Sequence, residues 1–239
     1  MSVLQSRLSA ISPWCYATPT PASVCHVTCA PYIGLNDPIN PATASLQPII
    51  TQDTPTPSTA NITNLACVSI SIFEYGRYVE SIATTTENQL ERPSQCDFVL
   101  HTSEAAVSAS FRRVLLAEVK VCDGDNYKRK RKAQNQLQHS LQDFFAHVPE
   151  MQNAAIRCSF FHCPPCFFRN GNTDTPPHAR KAAQGVSRVA AQTKRGIQKK
   201  RPGIDGYAEY WEYPYGHICD FFDGSPQTGI SNNRESDDA

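Results

Sequence analysis

Two acidic residues and a lysine occupy positions from which neighbouring strands can hold a metal ion beside a phosphate. Asp97 opens the apolar run Phe98-Val99-Leu100, and Glu118-Val119-Lys120 ends the next apolar run. Adjacent strands lie about 4.8 Å apart, so acids at neighbouring strand positions can share one ion. Alternate residues of a strand point to one side, which places Lys120 on the face of Glu118. The spacing predicts metal-assisted chemistry at phosphorus, with Lys120 orienting water or offsetting charge.

The strands that must position these side chains can be predicted from hydrophobic periodicity. Residues 66–73 alternate apolar and polar side chains, which predicts a half-buried strand, and residues 77–83 are expected to form a return strand. The apolar runs 96–101 and 112–121 are expected to follow as two more strands. Short connections between them favour a mixed or antiparallel sheet.

A helix is expected directly after these strands. Apolar residues recur at steps of three and four between residues 126 and 148, which is typical of a helix with one buried side. Gln136 lies at the border of that side, from which a side chain can reach into a cleft. Residues 154–162 are expected to return as a strand of the same sheet, and 207–215 as a last strand. The predicted fold class is α/β (α+β).

The composition predicts one domain with two less compact extensions. A chain of 239 residues is long enough for a single buried core. Residues 1–64 contain nine of the 18 prolines and only three charged side chains, among them Asp37 and Asp53, which predicts an irregular N-terminal arm. The main domain is expected over 65–222, and the polar tail 223–239 is expected to be disordered.

Charge is unevenly distributed although its totals cancel. The 22 Lys and Arg balance 22 Asp and Glu, so the net charge favours no class of partner. Residues 175–204 contain eight basic and no acidic residues, and an unbroken basic run consists of Lys128, Arg129, Lys130, Arg131 and Lys132. Both segments are expected to contact the phosphates of a nucleic acid, with DNA as the expected partner. A solvated helix start or a nuclear-import-like run explains the shorter segment nearly as well.

The sequence predicts neither secretion nor a membrane partner. Residues 1–11 lack a basic start followed by an apolar segment, as a secretory signal has. No window approaches the roughly 18 consecutive apolar residues of a membrane span. The ten cysteines are expected to be reduced thiols. We therefore expect an intracellular protein, cytoplasmic or nuclear, and the oligomeric state stays open.

The order of the acidic, basic and amide residues resembles the PD-(D/E)XK nuclease superfamily. Similar small bacterial members have a Cys-Asp pair, then Glu-apolar-Lys, then Ala-x-x-Gln-Leu. This chain has Cys96-Asp97, Glu118-Val119-Lys120 and Ala133-Gln134-Asn135-Gln136-Leu137 within residues 66–162. Cys96 stands where members have proline, and Ser140 stands where tyrosine follows the glutamine.

The resemblance implies a restriction-endonuclease-like fold, in which helices flank a mixed central sheet. It implies a nuclease that hydrolyses DNA phosphodiester bonds with Mg²⁺. Asp97 and Glu118 would be the metal ligands, Lys120 the catalytic lysine and Gln136 the glutamine of the helix. The backbone carbonyl of Val119, which lies between Glu118 and Lys120, is a further expected metal ligand.

A second interpretation keeps the fold but not the catalysis. Asp97 can be a turn-capping acid, with Glu118 and Lys120 on a solvated strand face joined by a cross-strand ion pair. The chain would then be an inactive nuclease-fold module that binds nucleic acid or protein.

A third interpretation is a cysteine-ligated metal protein. In some nucleases of the superfamily three cysteines after the helix bind an iron–sulfur cluster, and here these would be Cys158, Cys163 and Cys166, with Cys67 or Cys29 as the fourth ligand. Zinc could instead be held by His162, Cys163 and Cys166. Cys158 is expected to be a small buried hydrophobic residue of its strand, so neither metal is expected.

Overall fold

The described residues form a large mixed sheet, a smaller second sheet and two helices. The computed structural model describes residues 24–37, 40, 43, 46–54, 58–83, 95–102, 113–122, 127–147, 154–164, 197–198, 208–214 and 218–223. The strands in these residues are β1 (Cys25–Thr28), β2 (Tyr32–Leu35), β3 (Ile49–Gln52), β4 (Ala60–Thr63), β5 (Ile70–Phe73), β6 (Phe98–Thr102), β7 (Arg113–Val121), β8 (Ala155–Cys163), β9 (Ile197–Gln198), β10 (Ala208–Pro214) and β11 (Ile218–Cys219). The helices are α1 (Tyr75–Ala83) and α2 (Tyr127–His147).

The central sheet is mixed, with the strand order β1-β5-β6-β7-β8-β10-β9. β7, β8 and β10 are parallel to one another, and the other pairs are antiparallel. α2 connects β7 to β8, because adjacent parallel strands need a crossover. These elements confirm the α+β class and the strands predicted over 96–101, 112–121, 154–162 and 207–215 to within two residues.

Helix α2 covers one face of the central sheet. Its residues Ala133, Leu137, Leu141 and Phe144, spaced three and four apart, are buried against side chains of β6, β7, β8 and β10. The predicted helix between residues 126 and 148 is therefore confirmed in its described part. Because β7 and β8 are covered on both faces, their residues are buried along nearly the whole strand rather than at alternate positions.

Among the described residues, the opposite face is covered by the second sheet and not by a helix. This sheet has the strand order β11-β4-β2-β3, and its apolar residues Ile33, Leu35 and Ile62 share a core with side chains of the central sheet. The expectation that helices flank the central sheet is met on the α2 face within the described residues. On the other face the structure differs.

Residues 24–63 differ from the expected irregular arm. They form β1, which pairs with β5 of the central sheet, and most of the second sheet. Proline does not prevent this, because Pro31 and Pro48 lie between the strands. At Gly34 the β2 and β4 segments approach so closely that a β-carbon would lie 2.1 Å from Ser58 Oγ. The described part of residues 24–63 thus belongs to the two sheets, and its strands β2 and β4 are largely buried.

The return strand predicted over 77–83 is wrong, since residues Tyr75–Ala83 form helix α1. Tyr75, Tyr78 and Val79 pack into the core that lies under α2, and their spacing of three and four residues is that of a helix. The strand predicted over 66–73 is confirmed only at Ile70–Phe73.

Several predicted features lie outside the described residues. They are Cys166, residues 1–23, the segment 175–204 apart from 197–198, and the tail beyond residue 223. Of the two described helices, neither combines the length and the apolar character needed to cross a membrane.

Candidate active site

Asp97, Glu118 and Lys120 meet at one edge of the central sheet. Glu118 and Lys120 are near the end of β7, and Asp97 directly precedes β6. The antiparallel register pairs Phe98 with Ala117, so Asp97 lies beside Glu118. The parallel strands β8 and β10 end at the same edge. The carboxyl ends of parallel strands are the usual place for ligands in open α/β sheets.

The Lys120 ammonium connects the two carboxylates. Its Nζ lies 2.9 Å from Glu118 Oε1, and 3.1 and 3.3 Å from the two Asp97 oxygens. The backbone N–H of Val119 also donates to Asp97 Oδ2 at 2.8 Å. Glu118 is completely buried, and its Oε2 has no hydrogen-bond partner within the described residues. The site therefore contains an unsatisfied carboxylate oxygen in the protein interior.

Burial and mutual repulsion raise the pKa values of both carboxyl groups. Burial raises the pKa of Glu118 well above its usual value, and the negative charge of Asp97 adds to this. Burial also raises the pKa of Asp97, although Lys120 and the Val119 N–H partly offset it. For Lys120, burial lowers the pKa, but the attraction of Asp97, Glu118 and Asp37 outweighs it and the pKa is raised. The lysine therefore holds its proton, and its positive charge lies between the two carboxyl groups.

Asp37 is a third acid at this site, and sequence analysis missed it. It follows β2, is buried, and its Oδ2 accepts the backbone N–H of Val121 at 2.9 Å. Its charge acts on the pKa values of Asp97, Glu118 and Lys120. A signal was present, because Asp37 lies two residues after the mostly apolar run Tyr32–Leu35, as an acid just beyond a strand end.

Helix α2 fixes the segment that carries Asp97. Gln136 Nε2 donates to the Gln95 carbonyl at 2.7 Å, and the Cys96 N–H donates to Ser140 Oγ at 2.8 Å. Gln136 is thus occupied with backbone just before Asp97, and its Oε1 has no hydrogen-bond partner in the described part of the chain. Ser140 also holds this segment in place, because its Oγ accepts the Cys96 N–H.

Helix α1 also supports Asp97. The Gly76 N–H donates to the Asp97 carbonyl at 3.1 Å. A β-carbon at Gly76 would lie 3.4 Å from Asp97 Cα and from the Cys96 carbonyl oxygen, which is tight contact with backbone. The backbone of Asp97 is therefore held by both helices.

Val119 is buried on the opposite face of β7, in the core shared with the second sheet. Its N–H is bonded to Asp97, as above, so this residue already has one role in shaping the site. The proposed ligation of a metal by its carbonyl stays a prediction.

The basic run lies on the first turns of α2, and its five members have different surroundings. Arg129 donates to the Val121 carbonyl at 3.1 Å, and Lys130 Nζ lies 2.7 Å from Glu212 Oε1. Lys128, Arg131 and Lys132 are exposed. Two of the five side chains therefore tie α2 to the sheet, and three face solvent.

A second ionisable group, which sequence analysis did not connect, lies beside Lys120. His162 of β8 is paired in register with Lys120 of β7, and its Nε2 lies 3.0 Å from Glu212 Oε1. Both side chains are buried. With Lys130 this pair joins the ends of β8 and β10 to α2. His162 is thus paired with a carboxylate. The zinc site considered for His162, Cys163 and Cys166 stays untested, because Cys166 lies outside the described residues.

The described cysteines do not form disulfides with one another. Cys158 and Cys163 are buried, and Cys29 and Cys67 are exposed. Burial raises the pKa of Cys158 to about 12, which opposes the thiolate form that a metal requires. Cys158 is therefore the small buried hydrophobic residue that its strand predicted. The other cysteine ligands stay untested, because Cys166 lies outside the described residues.

The residues at the sheet edge fit a magnesium ion. Within the described residues, no three His, Cys, Asp or Glu side chains form a ready-made metal cage. Mg²⁺, however, usually takes only one or two carboxylates and completes its shell with water and substrate phosphate. Asp97 and Glu118 are such a pair, and the unsatisfied Oε2 of Glu118 is a hard oxygen donor.

Comparison with protein-family models, with curated proteins and with solved structures finds no match for this chain.

Proposed function

We propose that the protein is a Mg²⁺-dependent nuclease that hydrolyses DNA phosphodiester bonds, with Asp97, Glu118 and Lys120 at its centre. The observation that carries this proposal is the buried Glu118 carboxylate, whose Oε2 has no hydrogen-bond partner among the described residues. Leaving such a group unsatisfied costs folding free energy, on the order of 1–3 kcal/mol or more for a charged group. A site that carries such a cost is a good candidate for ligand binding.

The arrangement of elements supports the same proposal. An acid before β6, Glu-x-Lys near the end of β7, and a helix that carries Gln136 follow in the order of the PD-(D/E)XK pattern. We therefore propose a restriction-endonuclease-like fold for the central sheet and α2. The second sheet and Asp37 would be additions of this chain to that pattern.

Asp97 and Glu118 would hold the metal, with Asp37 adding negative charge nearby. Bound Mg²⁺ would neutralise charge on the phosphate and promote ionisation of a water molecule. Lys120 keeps its proton, because the surrounding carboxylates raise its pKa. It therefore acts as a fixed positive charge toward the phosphate oxygens, and not as the base that activates water. Its contact with Asp97 and Glu118 keeps the ammonium in place before substrate binds.

DNA is the proposed substrate because the beginning of α2 brings basic side chains to the site. Lys128, Arg131 and Lys132 are exposed on the helix that supports Asp97. Side chains of this kind bind phosphates and release counterions, which gives affinity that falls with salt.

The test is cleavage of end-labelled single- and double-stranded DNA by purified protein, with Mg²⁺ and with EDTA. We expect cleavage in Mg²⁺ only, and its loss in Glu118→Gln, which keeps the size of the side chain but removes its charge. Glu80→Gln is the matched control, because Glu80 is exposed on α1. Activity that survives both EDTA and Glu118→Gln would overturn the mechanism.

A second candidate is a nucleic-acid-binding module without catalysis. It is favoured by the contacts of Asp97, whose oxygens are bonded to Lys120 and to the Val119 N–H without any metal. Isothermal titration with Mn²⁺ in the presence of DNA separates the two candidates. DNA affinity with no metal binding and no cleavage would favour the module.

A further inference from the structure

Tyr127, the first residue of α2, is a large aromatic side chain exposed to solvent. It is 65% exposed, the same as Val27 and more than Leu65, the other large exposed hydrophobic residues in the described part of the chain. An isolated exposed hydrophobic residue needs no explanation. Tyr127 differs because of the charges that surround it.

Tyr127 shares the solvent side of α2 with three basic residues. Arg131 follows Tyr127 by four residues, and Lys128 is followed by Arg131 and Lys132 at three and four, so these side chains are neighbours on the helix surface. All four are exposed, and the first turn contains no acid. The positive end of the helix dipole adds to their charge. The result is an aromatic ring beside three exposed cationic side chains of the same helix.

The same turn of α2 adjoins the candidate active site. Lys130, one helical turn after Tyr127, contacts Glu212. Glu212 contacts His162, which is the register partner of Lys120. The ring of Tyr127 and the ammonium of Lys120 therefore belong to the same end of the molecule, where β7, β8 and β10 end.

We propose that this surface binds a single-stranded nucleic acid, with one base stacked on Tyr127 and phosphates on Lys128, Arg131 and Lys132. An aromatic ring can stack on a base only where the base face is open, as in a single strand; in a duplex the faces are covered by neighbouring pairs. The proposal deepens the proposed function, on which it rests for the nature of the substrate. It specifies single-stranded DNA, or the unpaired end of a duplex, as the form that reaches the site.

The experiment measures binding, not cleavage, of a fluorescein-labelled oligodeoxythymidine in EDTA. An abasic oligomer of the same length carries the same phosphates without bases, and a duplex carries bases whose faces are covered. We expect the wild-type protein to bind oligodeoxythymidine more tightly than the abasic oligomer. Tyr127→Ala should weaken oligodeoxythymidine binding by about tenfold and leave abasic and duplex binding unchanged. Tyr127→Phe, which keeps the ring, should bind as the wild type does.

Matched variants separate stacking from charge. Leu65→Ala removes another exposed apolar side chain and should change no affinity. Lys132→Gln should weaken all three probes and reduce the salt dependence of single-strand binding by about 0.7 in the logarithmic slope. Equal affinity of wild type and Tyr127→Ala for oligodeoxythymidine would overturn the proposal. Equal affinity of wild type for the oligodeoxythymidine and abasic probes would overturn it too.

The two proposals fail in different ways. If Tyr127→Ala weakens oligodeoxythymidine binding but the protein never cleaves DNA, the binding surface is supported and the nuclease is rejected. If cleavage depends on Glu118 while Tyr127→Ala changes neither cleavage nor oligodeoxythymidine binding, the nuclease is supported and the stacking role of Tyr127 is rejected.

Discussion

Asp37 Oδ2 accepts the backbone N–H of Val121 at 2.9 Å, across 84 residues of sequence. This bond joins the loop after β2 to the end of β7, just beyond Lys120. Asn40 strengthens the connection, because its Nδ2 donates to the Val121 carbonyl at 3.3 Å. The first part of the chain therefore contributes an acid to the candidate active site, and the second sheet is the scaffold that brings it there.

Asp37→Asn is predicted to weaken the response to Mg²⁺. The amide oxygen can still accept the Val121 N–H, but the negative charge beside the proposed metal ligands Asp97 and Glu118 is gone. Changes next to metal ligands typically cost about 10–100-fold in metal affinity or activity. We expect the Mg²⁺ concentration at half-maximal cleavage to rise by about tenfold. The exposed Asp53→Asn is the matched control, and an unchanged Mg²⁺ dependence in Asp37→Asn would exclude Asp37 from the site.

Glu118→Gln is predicted to stabilise the metal-free protein near neutral pH. The folded-state pKa of Glu118 is raised by burial and by Asp97. The folded state then binds more protons than the unfolded state above the ordinary glutamate pKa of about 4.3, so stability falls as pH rises from there through the folded-state pKa. A neutral amide at this position should remove this loss of stability with rising pH. The free energy of unfolding of Glu118→Gln should then exceed that of the wild type by on the order of 1 kcal/mol at neutral pH.

Urea unfolding in EDTA between about pH 4 and pH 8 measures this effect. The wild type should lose more stability across that range than Glu118→Gln does. Lys120 retains Asp97 as an ion-pair partner in the variant, so the amide does not leave an isolated buried charge. Parallel curves for the two proteins would mean that Glu118 is not held at a raised pKa.

The sequence predicted the centre of the site and missed its surroundings, for physical reasons that differ from residue to residue. Glu118 and Lys120 lie on the long strand β7 and Asp97 directly precedes β6, and the burial of both strands shows in the local pattern. Asp37 follows a strand of four residues, which is stable only through its pairing with β3 and β4. A composition rich in proline concealed that pairing, since the prolines fall between strands.

Helix α1 and Glu212 were missed in other ways. The apolar residues of α1 have helical spacing, but the segment is only nine residues long and lies among strands. Glu212 alternates with buried aromatic residues in β10 and looks like a solvent-facing strand residue. It is buried where β10 meets α2, in contact with Lys130 of that helix and with His162 of β8. Only the strand order, which no local pattern contains, places it beside His162.

Ser140→Ala is predicted to destabilise the fold and to lower activity through Asp97. The buried Cys96 N–H would lose its acceptor, Ser140 Oγ, which lies 2.8 Å away. An unsatisfied buried N–H costs about 1–3 kcal/mol. Chemical denaturation should show this loss, while Gln142→Ala, at an exposed position of the same helix, should leave stability within about 0.5 kcal/mol of the wild type. Wild-type stability in Ser140→Ala would contradict the role of this bond.

Lys130→Met is predicted to change the stability of the protein, and Lys132→Met the salt dependence of its DNA binding. Lys130 contacts the buried Glu212, so its loss should cost about 3 kcal/mol of stability and leave the salt dependence of DNA binding unchanged. Lys132 is exposed, so its loss should reduce the salt dependence and leave stability unchanged. Unfolding curves and salt titrations of both variants test the assignment. Equal effects of the two variants would show that the basic run acts as one surface.

The central claim is that Glu118 works in phosphodiester cleavage, and a single-turnover assay on end-labelled DNA tests it most directly. With protein in excess and Mg²⁺ present, the account predicts cleavage by the wild-type protein and by Glu80→Gln at equal rates. It predicts a rate lower by about a hundredfold or more for Glu118→Gln. Equal cleavage by the wild type and Glu118→Gln, or no cleavage by a folded wild-type protein that binds DNA, would contradict it.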